Sequence, residues 1–434
     1  MDKMADVLGC AGAWCGQNKY LSAIKNAFQN FMPLTIAGAI GVLWCNVLVN
    51  DQTGLGLFFK PIMALDFLNP AFQAVNFCTI SCITVGITLG IAQEIGVWNM
   101  GAERAGYIPG LVGLAAWLSV TNTSHMVDGA KEAFTGIAGN ELGATGLFTG
   151  MIIGILSVEL FCFFEKQDAL KIKMPEQVPP GVARAFEVLV PATITLIITA
   201  CIGSACYNLT GLYLNDVIKN GIQGPLGAVG ATIPGVMIIY LVIMLFWLVG
   251  IHGNNMLSAV KEALFTPLAL ENVEAFNKHQ TPKNIINMYA LQMWGEFGGS
   301  GVTIGLVIAI MIFGKREDNK AIATLSLVPG LFNINETVTF GIPMVLNPIL
   351  GIPFVVAPLV TIIIGYVLTV IGFCPVACLT VPWTCPPIVF GFLACGANVM
   401  GAVTQAILIV VSTVIYVPFL ISYEKYQNKQ AAEA

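Results

Sequence analysis

Long apolar runs separated by short polar loops fill most of this chain, a pattern typical of proteins with many membrane-spanning helices. Most runs approach the length of about 20 residues that an α-helix needs to cross a bilayer. Helices are expected because lipid cannot satisfy exposed backbone N–H and C=O groups. The pattern predicts an all-α, polytopic membrane protein with about ten transmembrane helices. The runs cover residues 31–49, 74–92, 106–120, 143–164, 187–207, 232–250, 297–313, 353–373, 386–397 and 402–422.

Two further apolar segments, 251–270 and 321–349, are interrupted by polar residues and prolines. Proline removes a backbone donor and kinks or ends a helix. Non-helical backbone at membrane depth persists only where protein or a water-filled cavity covers it. We therefore expect two re-entrant hairpins that line a cavity, with ordinary loops as the alternative.

Composition supports this class and excludes several others. Hydrophobic residues make up 56% of the 434 residues and charged residues 10%, with a mean hydropathy of +0.81, whereas soluble domains carry about 25% charged residues. The twelve cysteines are scattered and lie mostly in apolar runs, where a thiol behaves as a small hydrophobe. The three histidines are isolated from one another, so no metal site is predicted. No nucleotide-binding or hydrolase motif occurs, so we expect no cofactor, no phosphate donor within the chain and no nucleic-acid partner.

Basic residues indicate the orientation of the chain. The loop at residues 166–184 has their densest group, and such loops favour the cytoplasmic side. We expect this loop and both termini to be cytoplasmic. The same loop divides the chain into a scaffold half, 1–185, whose Gly- and Ala-rich spans suit close packing and dimerisation, and a substrate-binding half, 186–434, which holds both broken segments. The basic residues are Lys166, Lys171, Lys173 and Arg184 in the loop, and Lys3, Lys19, Lys25, Lys425 and Lys429 towards the termini.

Two polar islands interrupt the apolar pattern and are the strongest candidates for a binding site. One is residues 333–337, Asn-Ile-Asn-Glu-Thr, and the other is residues 250–255, Gly-Ile-His-Gly-Asn-Asn. An acid at membrane depth costs roughly 2.5–3.5 kcal/mol, so Glu336 is expected to have partners or a function there. A carboxylate and the amides of Asn333 and Asn335 suit sugar hydroxyls, which both donate and accept hydrogen bonds.

His252 is expected to contribute to the same site. It lies between two glycines, which permit unusual backbone conformations, and Asn254 follows. A neutral imidazole donates at one nitrogen and accepts at the other, which also suits a hydroxyl. The alternatives are a structural, paired acid at Glu336 and an interfacial histidine at His252.

Three other residues are weaker candidates for sugar binding. Glu296 precedes a glycine cluster, and Gly299 within that cluster permits close approach of a ligand, although such clusters also serve helix packing. Trp383 offers an indole face against which a sugar ring can be buried, although a tryptophan at the membrane interface is the alternative.

The chain resembles the membrane-spanning IIC component of the bacterial sugar phosphotransferase system, in its lactose/cellobiose/diacetylchitobiose family. The resemblance extends over essentially the whole chain. One departure is Thr337, where the family usually has proline, which affects the rigidity of the second hairpin. The matching motifs are residues 250–255, 332–336, 340–343, 346–348, 381–384 and 386–387, with a weaker match at 32–34.

The resemblance implies a permease for a β-linked, cellobiose- or chitobiose-like disaccharide in the bacterial plasma membrane. It implies a homodimer with two re-entrant hairpins per protomer, in which the substrate domain moves against the dimer domain in elevator fashion. A cytoplasmic IIB protein would transfer a phosphoryl group from its phosphocysteine to the 6-hydroxyl of the sugar. Only about a dozen residues follow the last span, so IIB is expected to be separate.

Glu336 and His252 would be the catalytic pair of this sugar phosphotransferase complex. Glu336 would orient the attacking hydroxyl and accept its proton, and His252 would hold that hydroxyl or its neighbour. Two other functions remain open from the residues alone. An ion-coupled secondary sugar transporter would use Glu336 and Glu296 as proton or sodium sites. A membrane-embedded hydrolase would use the same two acids as an acid/base pair.

Overall fold

The computed structural model is helical almost throughout the residues that it describes, which are 17–51, 55–125, 134–175, 177–342, 344–345 and 347–433. Sequence predictions that involve Lys3, or positions 343 and 346 of the second expected hairpin, lie outside the described residues. Within them, the all-α class is confirmed. The strands described, Ser124–His125 and Phe134–Thr135, form one short antiparallel pair with Ser124 opposite Thr135.

The chain divides into two compact units, neither of which is continuous in sequence. The N-terminal unit comprises Gln17–Gly41 and Ala71–Gly227, and the C-terminal unit comprises Val42–Pro70 and Ala228–Ala434. The two units divide near residue 227, and Val42–Pro70 belongs with the C-terminal residues. The division into functional halves at residue 185 stays a prediction. The scaffold and substrate-binding roles of the two halves stay predictions.

The helices of the N-terminal part largely follow the apolar runs. Its α-helices are Lys19–Leu43, Asn69–Asn76, Ile83–Met100, Ala102–Ala105, Ile108–Val120, Gly139–Leu142, Ala144–Glu165, Pro180–Thr210, Leu214–Ile218 and Gly224–Gly230. Shorter 3₁₀ and π segments are Trp44–Leu48, Leu55–Leu57, Lys60–Leu68, Phe77–Ser81, Asp168–Leu170 and Lys219–Gln223.

The helices after residue 230 are more often interrupted, and two of the interruptions coincide with the polar islands. The α-helices are Ile233–Leu248, Gly253–Met256, Ser258–Asn277, Met288–Gly295, Ile304–Phe313, Glu317–Leu331, Glu336–Gly341, Gly351–Val370, Val389–Ala394 and Val399–Glu433, with a 3₁₀ turn at Ser300–Val302.

Several helices are long and apolar enough to cross a membrane. By length and composition, the described residues contain five such helices, or up to seven if each of two bent helix pairs is one span. About ten spans and two re-entrant hairpins therefore stay predictions. The five helices are Lys19–Leu48, Ala144–Glu165, Pro180–Thr210, Gly351–Val370 and Val399–Gln430, and the bent pairs are Lys60–Ser81 with Ile83–Met100 and Met288–Val302 with Ile304–Phe313.

Small residues allow the helices of the N-terminal unit to approach closely. A side chain at Gly150 would overlap Thr88, and one at Gly113 would overlap Ala92. Nearby, the fully buried Trp117 belongs to a cluster with Ile153. Small residues at helix contacts let backbones approach and gain dispersion contacts where lipid offers no hydrophobic drive.

A cluster of two glutamates and two arginines connects the two ends of the basic loop at residues 166–184. Glu165 is only 3% exposed and accepts from Arg104 and Arg184 at 2.8 and 2.9 Å. Glu187 accepts from the same two arginines at 3.0 and 2.8 Å. A buried carboxylate is tolerated when charged donors replace its lost hydration, which is what the two guanidinium groups provide here.

The long C-terminal helix, Val399–Glu433, fixes the start of the helix Glu317–Leu331. The Glu424 carboxylate accepts from the backbone N–H groups of Lys315 and Arg316 at 2.9 and 3.2 Å. The neighbouring Arg316 guanidinium donates to Asp318 and holds the pKa of that carboxyl below its usual value.

Large aromatic side chains are buried in the core of the C-terminal unit. Trp294 on the helix Met288–Gly295 is 1% exposed and lies directly against Gly365 on the helix Gly351–Val370. Because a Cβ at Gly365 would overlap the indole ring, this helix contact depends on glycine.

Replacing Gly365 by alanine should lower the thermal unfolding temperature of the detergent-solubilised protein. Overpacking a closed core costs about 1–3 kcal/mol, and the rigid indole cannot move aside as a flexible chain would. The matched control is Gly181→Ala, a helical glycine whose added Cβ meets no atom within 4 Å. Equal unfolding temperatures for the two variants would contradict the proposed contact.

Candidate functional site

The first polar island lies at a break between the helices Ile233–Leu248 and Ser258–Asn277. Gly250 has φ +82°, a conformation that favours glycine. A Cβ at Gly253 would overlap the Ile243 carbonyl, so that position also requires glycine. The two glycines let the chain turn sharply and hold His252 between them.

The ring of His252 has a defined orientation. Its Nδ1 accepts a hydrogen bond of 3.3 Å from the backbone N–H of Asn255, so the ring caps the short helix Gly253–Met256. The ring also packs against the indole of Trp247, with ring centroids 4.4 Å apart. Because Nδ1 accepts, the proton of a neutral ring lies on Nε2.

The second polar island lies at a break between the helices Glu317–Leu331 and Glu336–Gly341. Asn333 at this break has φ +62°, a conformation that asparagine tolerates better than most residues. Its Oδ1 accepts from the Gly298 N–H at 2.6 Å, and its Nδ2 donates to the carbonyls of Trp383 and Cys385. Asn333 therefore connects three separate backbone segments.

The two islands meet at His252 and Glu336. The Nε2 atom of His252 lies 3.7 Å from Oε1 of Glu336, and the side chains are 37% and 47% exposed. This distance is longer than a direct hydrogen bond. A donor nitrogen and an acceptor carboxylate thus face each other with both groups accessible, an arrangement able to bind one hydroxyl from two sides.

Glu296 belongs to a second polar cluster, which is more deeply buried than the pair of His252 and Glu336. Its carboxylate pairs with Lys261, and the two side chains are 16% and 6% exposed. It also accepts 2.7 Å from the hydroxyl of Tyr240. Lys261 in turn donates to Oδ1 of Asn254 at 3.2 Å. Sequence reasoning missed Lys261, although a lysine within the apolar segment 251–270 was the signal that could have found it.

The glycine cluster after Glu296 packs against the second island. Gly299 has φ +88°, and a Cβ there would lie 2.7 Å from Cβ of Asn335. Asn335 is 4% exposed and donates 2.8 Å to the carbonyl of Ser300. Gly299 therefore permits close packing within the protein, which is the alternative that the sequence left open for this cluster.

The structure thus divides the predicted site residues into two groups. His252 and Glu336 are accessible and face each other, and Trp383 has an indole side chain that is 43% exposed. The remaining candidates form hydrogen bonds, an ion pair or close packing contacts with other parts of the protein. They are Asn254, Glu296, Gly299, Asn333 and Asn335, and their sugar-binding roles stay predictions. The described residues contain no group of three or more His, Cys, Asp or Glu side chains placed to hold a metal ion.

The helical fold, the apolar spans and the polar break regions define a polytopic membrane transporter. Residues 25–358 match the family model described as "Phosphotransferase system, EIIC". The chain therefore belongs to the EIIC family of the phosphotransferase system, in which this subunit is the membrane permease component, and it is a multi-pass plasma membrane protein.

Similar proteins cover nearly the whole chain. It is 32% identical over 98% of its length to an oligo-beta-mannoside-specific EIIC component of Bacillus subtilis (strain 168), of which 94% is covered. It is 30% identical over 96% of its length to a cellobiose-specific EIIC component of Lactococcus lactis subsp. lactis (strain IL1403), of which 96% is covered. The crystal structure of the transporter ChbC, the IIC component of an N,N'-diacetylchitobiose-specific phosphotransferase system, matches with a TM-score of 0.88 and 30% identity over 97% of both chains.

Removing the charge of Lys261 alone should destabilise the protein more than removing both charges of its ion pair. Lys261→Met leaves the Glu296 carboxylate buried without its cation, which costs roughly 3–5 kcal/mol. Adding Glu296→Gln should recover most of this loss, because the amide keeps an acceptor for Tyr240. The measurement is thermal unfolding in detergent.

The control for this prediction is the exposed pair Lys278–Glu274, whose side chains are 60% and 41% exposed. Lys278→Met should change the unfolding temperature little, because exposed pairs contribute about 0–1 kcal/mol. A double variant no more stable than Lys261→Met would refute the compensation between the two buried charges.

Proposed function

We propose that this chain binds a β-linked disaccharide, moves it across the membrane and presents it to a phosphorylated IIB component for phosphorylation. The observation that carries the proposal is the approach of His252 and Glu336, a donor and an acceptor that come from two separate breaks and lie 3.7 Å apart. The names of the similar proteins support the sugar class, since mannoside, cellobiose and diacetylchitobiose are β-linked sugars.

The chemistry of phosphoryl transfer fits these two side chains. The transition state is loose, so the protein mainly has to position the attacking hydroxyl, and its proton leaves late. Glu336 accepts the hydrogen bond of that hydroxyl and then its proton, a contribution typically worth about 10²–10⁴ in rate. His252, with its proton on Nε2, donates to the same oxygen or to its neighbour and fixes the direction of attack.

The phosphoryl donor in this proposal is a phosphocysteine of IIB, and a separate IIB protein remains the expectation from the sequence. No phosphate-binding motif occurs in the chain, so the phosphoryl group comes from that partner. The released sugar phosphate carries about two negative charges, which disfavours its return across the bilayer. Because the charged sugar phosphate stays inside the cell, uptake is directional without an ion gradient.

The rest of the transport cycle belongs to the same proposal. We infer a homodimer of ten-span protomers with re-entrant hairpins at 251–270 and 321–349 and with cytoplasmic termini. The substrate-binding domain moves in elevator fashion against the dimerisation domain. The breaks at Gly250–His252 and Asn333–Asn335 support hairpins in both regions, because each places irregular backbone beside polar side chains.

An ion-coupled secondary transporter has less support. It requires Glu336 and Glu296 as proton or sodium sites, but the Glu296 carboxylate is already paired with Lys261 and accepts from Tyr240. A carboxylate neutralised in this way has little affinity left for a cation. Membership of the phosphotransferase family points to the same conclusion.

Replacing Glu336 by glutamine should abolish sugar phosphorylation while some sugar binding remains. The amide keeps the shape of the carboxylate but cannot accept the proton. The measurement is formation of labelled sugar phosphate by proteoliposomes supplied with phospho-IIB, beside equilibrium binding of cellobiose and N,N'-diacetylchitobiose. The control is Glu317→Gln, a side chain that is 86% exposed and pairs only at the surface with Lys320. Full phosphorylation by Glu336→Gln would reject the proposal, and accumulation of free sugar would favour ion coupling.

A binding screen of disaccharides should identify one ligand whose affinity is lost in His252→Ala. The imidazole donates to the sugar in this proposal, so its removal costs one hydrogen bond to the ligand. The exposed His279 provides the control variant His279→Ala. If every disaccharide bound to wild type and to His252→Ala equally well, His252 would lie outside the sugar site.

A further inference from the structure

Ser300 lies between the two polar islands and contacts both of them. It is 3% exposed and lies in the 3₁₀ turn Ser300–Val302. Its hydroxyl oxygen accepts a hydrogen bond from the island that contains His252. Its backbone carbonyl accepts one from the island that contains Glu336. No role for Ser300 follows from the proposed chemistry, since its polar atoms are used within the protein.

The first contact joins Ser300 to the His252 island. Nδ2 of Asn254 donates 2.8 Å to Oγ of Ser300. The orientation of this amide is fixed, because its Oδ1 accepts from the ammonium of Lys261 at 3.2 Å. Asn254 lies two residues after His252 in the short helix Gly253–Met256, so its position is coupled directly to that of the imidazole.

The second contact joins Ser300 to the Glu336 island. Nδ2 of Asn335 donates 2.8 Å to the carbonyl oxygen of Ser300. Asn335 is buried and immediately precedes Glu336, the first residue of the helix Glu336–Gly341. The residue immediately before Glu336 is therefore held by the same residue that holds Asn254.

The backbone around Ser300 is itself strongly fixed. Gly301 has φ +79°, and a Cβ there would overlap the ring of Phe354. The Gly301 carbonyl accepts 2.8 Å from the hydroxyl of Tyr416, and the hydroxyl of Thr303 donates 2.6 Å to the carbonyl of Gly298. Ser300 is thus a rigid reference point rather than a mobile loop residue.

We propose that Ser300 is a positioning residue that sets the separation of His252 and Glu336 by holding Asn254 and Asn335 at the same time. Its kinetic consequence rests on the proposed function, but its geometric consequence does not. Misplacing a reacting group by about 1 Å can cost on the order of 100-fold in rate. Loss of the Ser300 hydroxyl therefore acts on phosphoryl transfer more than on sugar affinity.

The kinetic test compares Ser300→Ala with Ser412→Ala. Ser412 is also fully buried in the C-terminal unit, but its hydroxyl donates to a carbonyl of its own helix, Ile409, at 2.9 Å. In proteoliposomes with phospho-IIB and cellobiose or N,N'-diacetylchitobiose, Ser300→Ala should lower kcat by about 10- to 100-fold with little change in KM. Ser412→Ala should leave both values near those of the wild type.

The geometric test needs no substrate. The chain has three histidines, so selective ¹⁵N labelling gives one resolved signal set for each of His125, His252 and His279. Glu336→Gln defines the change in the His252 signal when the facing carboxylate is neutralised. Ser300→Ala should move the His252 signal by a comparable amount and leave the other two unchanged, and Ser412→Ala should move none of them. Ser300→Cys, which leaves no cavity but is a weaker acceptor, serves if Ser300→Ala does not fold.

The outcomes separate this inference from the proposed function. An unmoved His252 signal in a folded Ser300 variant overturns the positioning role, whatever the activity. A moved signal with wild-type kcat in Ser300→Ala overturns its kinetic consequence. If the wild type forms no sugar phosphate from either sugar with phospho-IIB, the proposed function fails, and the His252 signal still decides whether Ser300 sets the geometry.

Discussion

Every interruption of a helix in an apolar protein leaves backbone N–H and C=O groups that must find partners within the protein, because lipid offers none. Side-chain amides meet this requirement throughout the C-terminal unit. Asn287 accepts from two N–H groups at the start of the helix Met288–Gly295 and donates to the carbonyl of Ala377. Gln405 accepts from the N–H groups of Ile388 and Gly391. Asn333 and Asn335 do the same at the candidate site, so the broken segments depend on amides for their shape.

This constraint explains why the polar residues near the site have different roles. An amide that satisfies backbone groups is held in place and has little hydrogen-bonding capacity left for a ligand. The two acids differ in a similar way. Glu296 is 16% exposed and balanced by Lys261, whereas Glu336 is 47% exposed and faces His252. Glu336 is therefore the acid with the more accessible carboxylate, whereas the carboxylate of Glu296 is used within the protein.

Much of the fold and the pair at the centre of the site could be predicted from sequence. The runs at 187–207 and 402–422 lie within the helices Pro180–Thr210 and Val399–Glu433, and the run at 143–164 matches the helix Ala144–Glu165 to within one residue, because unbroken hydrophobicity determines them. The breaks beside His252 and Asn333 followed from glycine and polar residues. The sequence pattern did not separate a ligand-binding amide from a structural one. That distinction depends on which backbone groups lie opposite, a long-range contact that local pattern does not encode. The contacts of Ser300 were missed for the same reason, whereas Lys261 could have been found as a lysine within an apolar segment.

Each unit is built from segments that are separated in sequence, which has a consequence for biosynthesis. Val42–Pro70 belongs to the same unit as Ala228–Ala434, yet the ribosome makes it about 160 residues earlier. At 5–20 residues per second, roughly 8–30 seconds pass before the first residues of its permanent neighbours are synthesised. During that interval the segment lacks the contacts that it makes in the finished unit. The order in which this permease assembles therefore differs from the order in which it is translated.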